Sequence, residues 1–511
     1  MIVSRKLRYY ETTVHLKPHQ ASLCPTMLRL TDLQLSSHAQ LFVAATCLGV
    51  TALIYYAYLA STESSFSYPP SPPTWRLRGH LIPPRNGFMT VESWIEEHGP
   101  LITLRAGIKK HVVIGRYKAA VEIMERHGAS LVDRPRFIAA GELLSGGMLI
   151  PFIRAGERAI HTHLQPKVAE AYQPLQISYA KNTVIGILND PHNFQDHART
   201  YAAATSMKVA YGKTTPTSAT DPEVKRVAKF AEKFRTVLHP GAYLVDSIPW
   251  LKYLPWYARD LRDGCRDSQE LFVELFDRLK QEIGGDEAGP SLGRYLWEKR
   301  NSNEMPELEM ACLAGTVFAA GYDTTTLAIC TILLAAACFP EEQRKVHEEL
   351  DAVIGINRVP AFTDKKSLPR LCAFVSEALR WRPLIPMGLP HRTTQVVVFE
   401  NYRIPAGTTV SGNHWAISRD PDVFPDPHAF KPDRWLDAEG CMRDDLKFFG
   451  FGFGRRWVPS FSAFINAVLP LDDMAFMNGN FQNEQPCTID FQTRIPEAEL
   501  RRMMGRDVED F

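Results

Sequence analysis

The chain has 511 residues, 45% of them hydrophobic and 23% charged, which is the composition of a globular protein with one large domain or two to four smaller ones. Its 58 lysines and arginines are balanced by 57 aspartates and glutamates, so no net field attracts nucleic acid, and we predict no nucleic-acid partner. The nine cysteines are scattered without a CxxC pair, which indicates thiols in a reducing compartment rather than a disulfide framework.

An uncharged apolar run covers residues 41–60, after a polar, weakly basic segment at 1–40. About twenty apolar residues span a bilayer, and Tyr55, Tyr56 and Tyr58 suit the membrane–water interface. The alternative is a cleaved signal peptide, but the apolar core of such a peptide is shorter and begins nearer the N-terminus. We therefore predict a single transmembrane anchor at 41–60. The few flanking arginines are too evenly divided to set its orientation.

Prolines dominate the stretch after the anchor, in Tyr-Pro-Pro-Ser-Pro-Pro-Thr at 68–74 and again at Pro83 and Pro84. Such a stretch favours a stiff polyproline conformation. We predict a proline-rich hinge at 61–85 that holds a soluble body, residues 86–511, away from the bilayer.

The body begins with strand signals and continues with helical ones. Residues 101–104 and 112–114, with a break at 106–110, predict a β-hairpin. Residues 117–127, closed by Gly128, predict an amphipathic helix with its C-cap. The pattern is helical from about 170 to 300.

An aromatic loop interrupts that helical region at 249–256, with the sequence Pro-Trp-Leu-Lys-Tyr-Leu-Pro-Trp. Three interpretations stay open: the loop lines an apolar substrate entrance, it contacts lipid, or it packs in the ordinary way.

A long apolar stretch at 310–338 follows Pro306 and two acidic residues and ends before Pro340. Apolar residues occur on all sides, which indicates a helix buried all round. Its centre, Ala-Gly-Tyr-Asp-Thr-Thr-Thr at 320–326, is poor helix chemistry. A transmembrane helix is disfavoured by Asp323. Two interpretations remain: a soluble core helix whose threonines bond back to the preceding turn, or a helix opened locally over a cofactor.

Helical signals resume at 340–354 and at 371–381, where Glu377 and Arg380 lie three residues apart on one helix face. Their neighbours are large and apolar, which predicts a buried pair that must be fully hydrogen-bonded. Strands are predicted at 396–399 and 408–410. The irregular, proline-rich run at 420–435 predicts a long functional or scaffolding loop.

Four motifs then resemble, in order and spacing, those of cytochrome P450s, which are haem-thiolate monooxygenases. They are Ala-Gly-Tyr-Asp-Thr-Thr at 320–325, Glu-x-x-Arg at 377–380, Pro-Asp-Arg-Trp at 432–435 and Phe-Gly-Phe-Gly-Arg-Arg at 451–456. The resemblance covers roughly residues 69–456. The anchor and hinge are most similar to those of membrane-bound fungal enzymes.

The resemblance implies a mainly α fold with a small β-sheet region and an N-terminal transmembrane helix. It implies haem b, whose iron takes up O2 while a cysteine thiolate favours O–O cleavage. NADPH serves indirectly, through NADPH–cytochrome P450 reductase, and the substrate is a hydrophobic small molecule such as a fungal secondary metabolite or a xenobiotic. The implied location is the endoplasmic reticulum membrane, spanned once, with the catalytic domain in the cytosol.

The resemblance also assigns roles to single residues. Two are implied to pass protons to bound oxygen: Asp323 and Thr324. Three are implied to bind the haem, two of them through propionates: Arg392, Gly454 and Arg456. Three are implied to form a buried structural triad: Glu377, Arg380 and Arg434.

The haem-binding loop does not finish in the family's way. After Arg456 the family has x-Cys-x-Gly, whereas this chain has Val458 at the ligand position and Ser460 at the glycine position. Cys441 lies upstream of the loop and Cys487 lies in the tail. Residues 461–482 also fail to predict the long helix that the resemblance leads us to expect there.

A second gap occurs near Arg158, where the family's propionate-binding helix start is several residues short. Three explanations account for both gaps: an intron read as coding after Arg456 with a piece lost near Arg158, a haem-deficient and catalytically inactive membrane-anchored binding protein, or an iron ligand other than cysteine. We favour the first, because two local losses interrupt an otherwise intact set of motifs. The helix-weakening sequence around Asp323 is also retained.

Overall fold

The computed structural model describes residues 37–62, 68–74, 79–83, 85–106, 109–148, 170–213, 215–239, 241–285, 289–303, 305–356, 358–446, 449, 465–468 and 489–505. At 37–41, 56–62, 302–303 and 465–468 it describes the backbone alone. The chain divides into two compact units, residues 1–65 and residues 66–511. The boundaries predicted at 40, 60 and 85 stay predictions.

The first unit contains one described helix, α1 (Ser37–Thr62). It has no acidic residue in its first turn and no basic residue in its last, and its side chains from Phe42 to Tyr55 are exposed. Exposed apolar side chains along a helix suit a lipid environment. The described apolar part, Phe42–Tyr55, is by itself shorter than a full span.

The second unit is mainly helical. Its α-helices are α2 (Gly87–His98), α3 (Tyr117–Ala120), α4 (Gln173–Asn189), α5 (Phe194–Tyr211), α6 (Pro222–Val237), α7 (Arg259–Gly284), α8 (Leu292–Glu298), α9 (Arg300–Asn303), α10 (Glu307–Cys338), α11 (Pro340–Val353), α12 (Pro369–Trp381), α13 (His414–Ile417) and α14 (Glu497–Gly505). Single turns of 3₁₀ or π helix also occur, at Val121–Arg126, Gly128–Leu131, Ile138–Leu144, Pro191–Asn193, Leu244–Asp246, Pro249–Tyr253, Phe362–Ser367 and Pro432–Trp435. The amphipathic helix predicted at 117–127 is therefore α-helical only in its first turn.

The strands are short, as the mainly α prediction requires. They are β1 (Leu101–Ala106), β2 (Lys109–Ile114), β3 (His391–Arg392), β4 (Val397–Phe399), β5 (Tyr402–Ile404), β6 (Thr409–Gly412), β7 (Ile465–Val468) and β8 (Asp490–Thr493). One sheet has the order β1-β2-β6-β3, and β4–β5 and β7–β8 are separate antiparallel pairs. The hairpin predicted at 101–114 is β1–β2, whereas β5 was not predicted.

The parallel pairing of β2 with β6 joins distant parts of the chain. His111 pairs with Thr409 and Ile114 with Gly412. A parallel pair needs a long crossover connection, and here that connection contains most of the helical body. The N-terminal hairpin is thereby held beside the segment that follows α12.

The central helix α10 begins after Pro306 with Glu307 and Glu309 in its first turn, where acidic side chains complement the helix dipole. It is long and apolar enough to cross a membrane, but about half of its most apolar window is buried inside the body. It packs closely on α5 and α7, since a Cβ at Gly321 would lie 2.9 Å from Ser206 Cβ and a Cβ at Gly315 would lie 2.2 Å from the Phe272 ring. The interpretation as a soluble core helix therefore fits the structure.

The local opening that the functional interpretation required is not observed, because α10 is α-helical throughout Glu307–Cys338. The threonine hydroxyls donate to the preceding turn, Thr324 to Ala320 O at 2.8 Å and Thr326 to Tyr322 O at 2.8 Å. Such back-bonding lets β-branched polar residues stay within a helix.

Candidate functional site

Among the residues that the structure describes, the most deeply buried charges belong to an ion pair on α12. Arg380 Nε donates to Glu377 Oε2 at 2.7 Å, and Arg380 Nη2 donates to Glu377 Oε1 at 2.8 Å. Both side chains are fully buried. Two parallel bonds to one carboxylate are the strongest arrangement available to arginine. The predicted pairing is confirmed in geometry.

Residues from the loop at 431–435 complete the shell around Glu377. Arg434 Nε donates to Oε1 at 3.2 Å, Lys431 N donates to Oε1 at 2.8 Å and Trp435 Nε1 donates to Oε2 at 3.0 Å. Burial lowers the pKa of Arg434, and the Glu377 carboxylate opposes that shift. The predicted triad thus comes together. The indole donor of Trp435 was not predicted, although Trp435 directly follows Arg434.

Backbone carbonyls satisfy the remaining donors of Arg380. Its Nη1 donates to Ser418 O and to Pro427 O, both at 2.8 Å, and its Nη2 donates to Ala429 O at 3.1 Å. A buried ion pair is tolerated only when its other donors are also satisfied. The pair therefore ties α12 to Ser418 and to the irregular run at 420–435, which was predicted to be a functional or scaffolding loop.

A second buried arginine lies next to this network and was not predicted. Arg419 donates to Trp415 O at 3.3 Å and Trp381 O at 3.0 Å, and its guanidinium lies 3.2 Å from the centre of the Trp415 ring. Burial lowers the pKa of Arg419 well below its ordinary value, with Glu92 acting in the opposite direction. Trp415 Nε1 donates to Glu92 Oε2 at 2.7 Å. This cluster extends the rigid polar core to α2.

Asp323, the acidic residue at the centre of α10, forms an ion pair with Arg235 of α6. Arg235 Nη1 donates to Asp323 Oδ1 at 2.5 Å, and the two side chains are 17% and 19% exposed. Burial raises the pKa of the Asp323 carboxyl, and Arg235 only partly offsets that rise. Arg235 was missed by sequence analysis because it lies 88 residues away from Asp323 with no motif around it.

One face of α10 is less buried than the rest of the helix. Ala320 is exposed, and Thr324 and Ala328, one and two turns later, are half-buried. Residues four apart share a helix face, so these positions form a continuous stripe in the middle of a core helix. In the part of the chain that the structure describes, Thr324 bonds to its own helix while Asp323 bonds to α6. The two predicted proton-transfer groups therefore do not form one hydrogen-bonded chain.

The residues predicted to bind haem are only partly described. Arg392, on β3, is about half-exposed; its Nη1 lies 3.8 Å from Asp133 Oδ2 and its Nε donates to Gly407 O at 3.4 Å. Gly454, Arg456 and the ligand position Val458 lie outside the described residues, as does the gap near Arg158. Their roles stay predictions.

The described residues leave one face of α10 accessible, but the sequence fails at the ligand to the haem iron. The open stripe on α10 offers a small, partly polar surface, and the Glu377 network offers a rigid support. The ligand position, however, is Val458, which has no lone pair, and no cysteine occurs between Cys441 and Cys487. The donor set therefore does not supply the thiolate that the resemblance implies.

Comparisons with known proteins agree with these motifs. The sequence profile of the family described as Cytochrome P450 matches residues 69–457. Cytochrome P450 monooxygenase 113 of Postia placenta is 41% identical over 482 residues, covering 89% of this chain and 97% of the relative. Cytochrome P450 monooxygenase 88 of the same fungus is 42% identical over 469 residues, covering 87% and 94%. An Armillaria gallica protein, also called a cytochrome P450 monooxygenase, is 32% identical over 480 residues, covering 89% and 92%. The profile match ends directly before Val458.

Proposed function

The chain belongs to the cytochrome P450 family, and we propose on that premise that its gene serves the hydroxylation of a hydrophobic small molecule by O2. The family's members are haem-dependent monooxygenases. The buried network around Glu377 carries the proposal for this chain, because so many satisfied charges in a core are costly to build and identify a retained scaffold. NADPH–cytochrome P450 reductase is the proposed electron source, and a fungal secondary metabolite or a xenobiotic is the proposed substrate.

Side chains in the middle of α10 support acid–base chemistry at the less buried face of that helix. Burial raises the pKa of the Asp323 carboxyl above its ordinary value, which favours a carboxyl that can hold and release a proton. We propose that it supplies protons and that Thr324 is the neighbouring hydroxyl. We also propose that Arg392, Gly454 and Arg456 contact the haem. The chain itself lacks the family's cysteine ligand to the haem iron.

A lipid bilayer is the second proposed partner, and the surface of residues 244–256 supports it. Trp250, Tyr253 and Trp256 are 60%, 76% and 63% exposed. Aromatic side chains of this kind favour membrane interfaces. We propose a location at the endoplasmic reticulum membrane, spanned once by α1, with the catalytic domain in the cytosol.

The two charged side chains within residues 244–256 form bonds to residues 138–142 of the body. Lys252 Nζ donates to Glu142 Oε2 at 2.7 Å, and Asp246 Oδ1 accepts from the backbone N–H groups of Ile138 and Ala139 at 2.7 and 3.1 Å. Arg136, which pairs with Glu142, is 63% exposed, so the exposed aromatic side chains lie beside a basic group, a combination that suits the membrane–water interface.

A second candidate function is favoured by one observation, the valine at position 458. It is a haem-deficient, catalytically inactive membrane-anchored binding protein. Sequencing the transcript across Arg456 separates the two candidates. A message that encodes Cys-x-Gly supports the monooxygenase and the read-through explanation, whereas a message that encodes Val458 supports the binding protein.

The monooxygenase itself is tested with the polypeptide that the message encodes, expressed in membranes together with the reductase. We expect NADPH- and O2-dependent hydroxylation of at least one member of a panel of terpenoids, polyketides and aromatic xenobiotics. A polypeptide that shows a thiolate-type spectrum but gives no oxygenated product, and no substrate-induced shift of that spectrum, contradicts the proposal.

A further inference from the structure

We infer that the polypeptide with this sequence builds the scaffold of its family without a thiolate-ligated iron, and that the cause is the whole segment after Arg456 rather than Val458 alone. This inference concerns the chain itself and goes beyond the proposed function of its gene. It rests on three separate observations: the chemistry of the loop, the fold of the segment that follows, and the anchoring of the tail.

The loop offers no iron ligand of any kind. Proteins bind haem iron through cysteine, histidine, methionine or tyrosine. None of these four residues occurs between Met442 and Met474, and Val458 lies in the middle of that interval. Histidine, methionine and tyrosine therefore cannot replace the missing cysteine at the loop. This argues against the explanation that a residue other than cysteine binds the iron there.

The described cysteines upstream lie in other elements of the fold. Cys312 and Cys330 are buried in α10, and burial raises the pKa of the Cys312 thiol to about 12, so that thiol stays protonated. Cys441 is exposed in a turn where its backbone N–H donates to Asp437 Oδ1 at 2.8 Å.

The described residues that lead up to the loop keep their packing. Phe449, the last described residue before position 458, is 3% exposed and makes edge contacts with Tyr117 and His414, with ring centres 6.0 and 5.9 Å apart. Trp435 and Arg434 are held by Glu377 as described above. The described scaffold stays packed as far as Phe449, so a collapsed scaffold does not account for the missing ligand.

The segment after the loop has a strand where the resemblance expects a helix. Within residues 461–482 the structure describes β7, and Ile465 pairs with Thr493 and Val468 with Asp490 in an antiparallel register. The backbone of β7 lies against α10 and α11. A long helix through 461–482 is incompatible with this pairing, since an extended residue cannot also be helical.

The partner strand is fixed in place by the core, so β7 is not a loose element. Ile489, directly before β8, is 2% exposed, and Leu500 of α14 is fully buried. Arg494 Nη1 donates to Asp351 Oδ1 of α11 at 2.6 Å. Because β8 is anchored on both sides, any strand that pairs with it is held at the tail.

Four proteins test the inference: the wild-type chain, Val458→Cys, the double variant Val458→Cys/Ser460→Gly, and a graft. In the graft, residues 457–488 are replaced by the corresponding segment of the 41% identical Postia placenta relative. Each full-length protein is supplied with haem, reduced and treated with carbon monoxide. We measure the thiolate-type Soret band per mole of protein, with bound haem counted separately and helix content checked by circular dichroism.

We expect no thiolate band from the wild type, no gain from either point variant, and a full band from the graft. A band from the wild type overturns the inference. A point variant that matches the graft overturns its second half, because β7 would then be no obstacle. A folded graft without the band overturns the claim that the segment is the cause. If the graft has the band but oxidises no substrate, the proposed function fails while this inference stands.

Discussion

Arg235 and Asp323 form an ion pair that joins α6 to the centre of α10, with 2.5 Å between Nη1 and Oδ1. Replacing Arg235 by Met leaves a buried carboxylate without its partner, and removing one member of such a pair costs about 3–5 kcal/mol. We expect a loss of that order in the free energy of unfolding at pH 7, measured with urea. The double variant Arg235→Met/Asp323→Asn, which carries neither charge, is the control and should recover most of the loss.

The same carboxyl gives a prediction about pH. The pKa of Asp323 in the folded protein lies above its ordinary value of 3.8, so the folded state binds this proton more tightly than the unfolded state does. Linkage then requires this group's contribution to stability to be present at low pH and to be lost as pH rises from 3.8 through the folded pKa. Arg235→Met should extend this loss of stability to higher pH, because it raises the folded pKa of Asp323 further. Asp323→Asn should abolish this group's contribution to the pH dependence. Equal losses for Arg235→Met at pH 4 and pH 7 would contradict this.

Glu377→Gln tests the buried network around α12. The amide keeps the shape of the carboxylate but turns one acceptor into a donor that faces Arg380 and Arg434. We expect about 3–5 kcal/mol of destabilisation, as for other broken buried pairs, measured by urea unfolding. Glu341→Gln is the matched control, because Glu341 and Arg344 form a pair of the same spacing with side chains 79% and 57% exposed. Exposed pairs contribute about 0–1 kcal/mol, so similar effects at the two sites would refute the role of burial.

Short-range patterns made much of this architecture predictable. The ion pair of Glu377 and Arg380 follows from a spacing of three on one helix among apolar neighbours, and α10 and α12 end close to their predicted limits. The strand β5 was not predicted, because three residues between turns are too few to show the alternating hydrophobic pattern of a strand. The unbroken helix at 320–326 was not predicted either, because tertiary packing on α5 and α7 outweighs the weak helix propensity of these residues.

Long-range relationships were not predictable in the same way. Arg235 approaches Asp323, and β6 lies parallel to β2, only because the helices between them fold into one body. The motif at 432–435 supplied Arg434, but nothing in a single sequence identifies which arginine faces an acid on another helix. Val458 is the opposite case, since the residue type alone excludes iron ligation whatever the fold.

Gly315→Ala tests the close packing of α10 on α7. A Cβ at Gly315 would lie 2.2 Å from atoms of the Phe272 ring, whereas a Cβ at Gly284 would meet nothing within 4 Å. Alanine favours the helical state over glycine by about 1 kcal/mol, but overpacking a core costs about 1–3 kcal/mol. We therefore expect Gly315→Ala to lower the melting temperature and Gly284→Ala to leave it unchanged or raise it. A stabilised Gly315→Ala protein would show that the two helices separate easily.

Brominated lipids test the contact between residues 244–256 and a bilayer, because bromine quenches tryptophan fluorescence only at close range. The anchor region, residues 37–62, contains no tryptophan, so its insertion contributes nothing to the signal. We expect brominated vesicles to quench part of the tryptophan fluorescence of the full-length protein. In Trp250→Phe/Trp256→Phe, the quenched fraction of the remaining fluorescence should be smaller.

Trp297→Phe, on α8 within the body, is the control for that measurement and should leave the quenched share unchanged or slightly larger. Residues near the anchor quench equally in all the proteins, so the difference between variants reports residues 244–256 alone. If the double variant and the wild type are quenched to the same extent while both stay with the vesicles, the anchor holds the protein and the aromatic surface faces water. Its exposed tryptophans would then need another apolar neighbour, because Trp250 and Trp256 are 60% and 63% exposed.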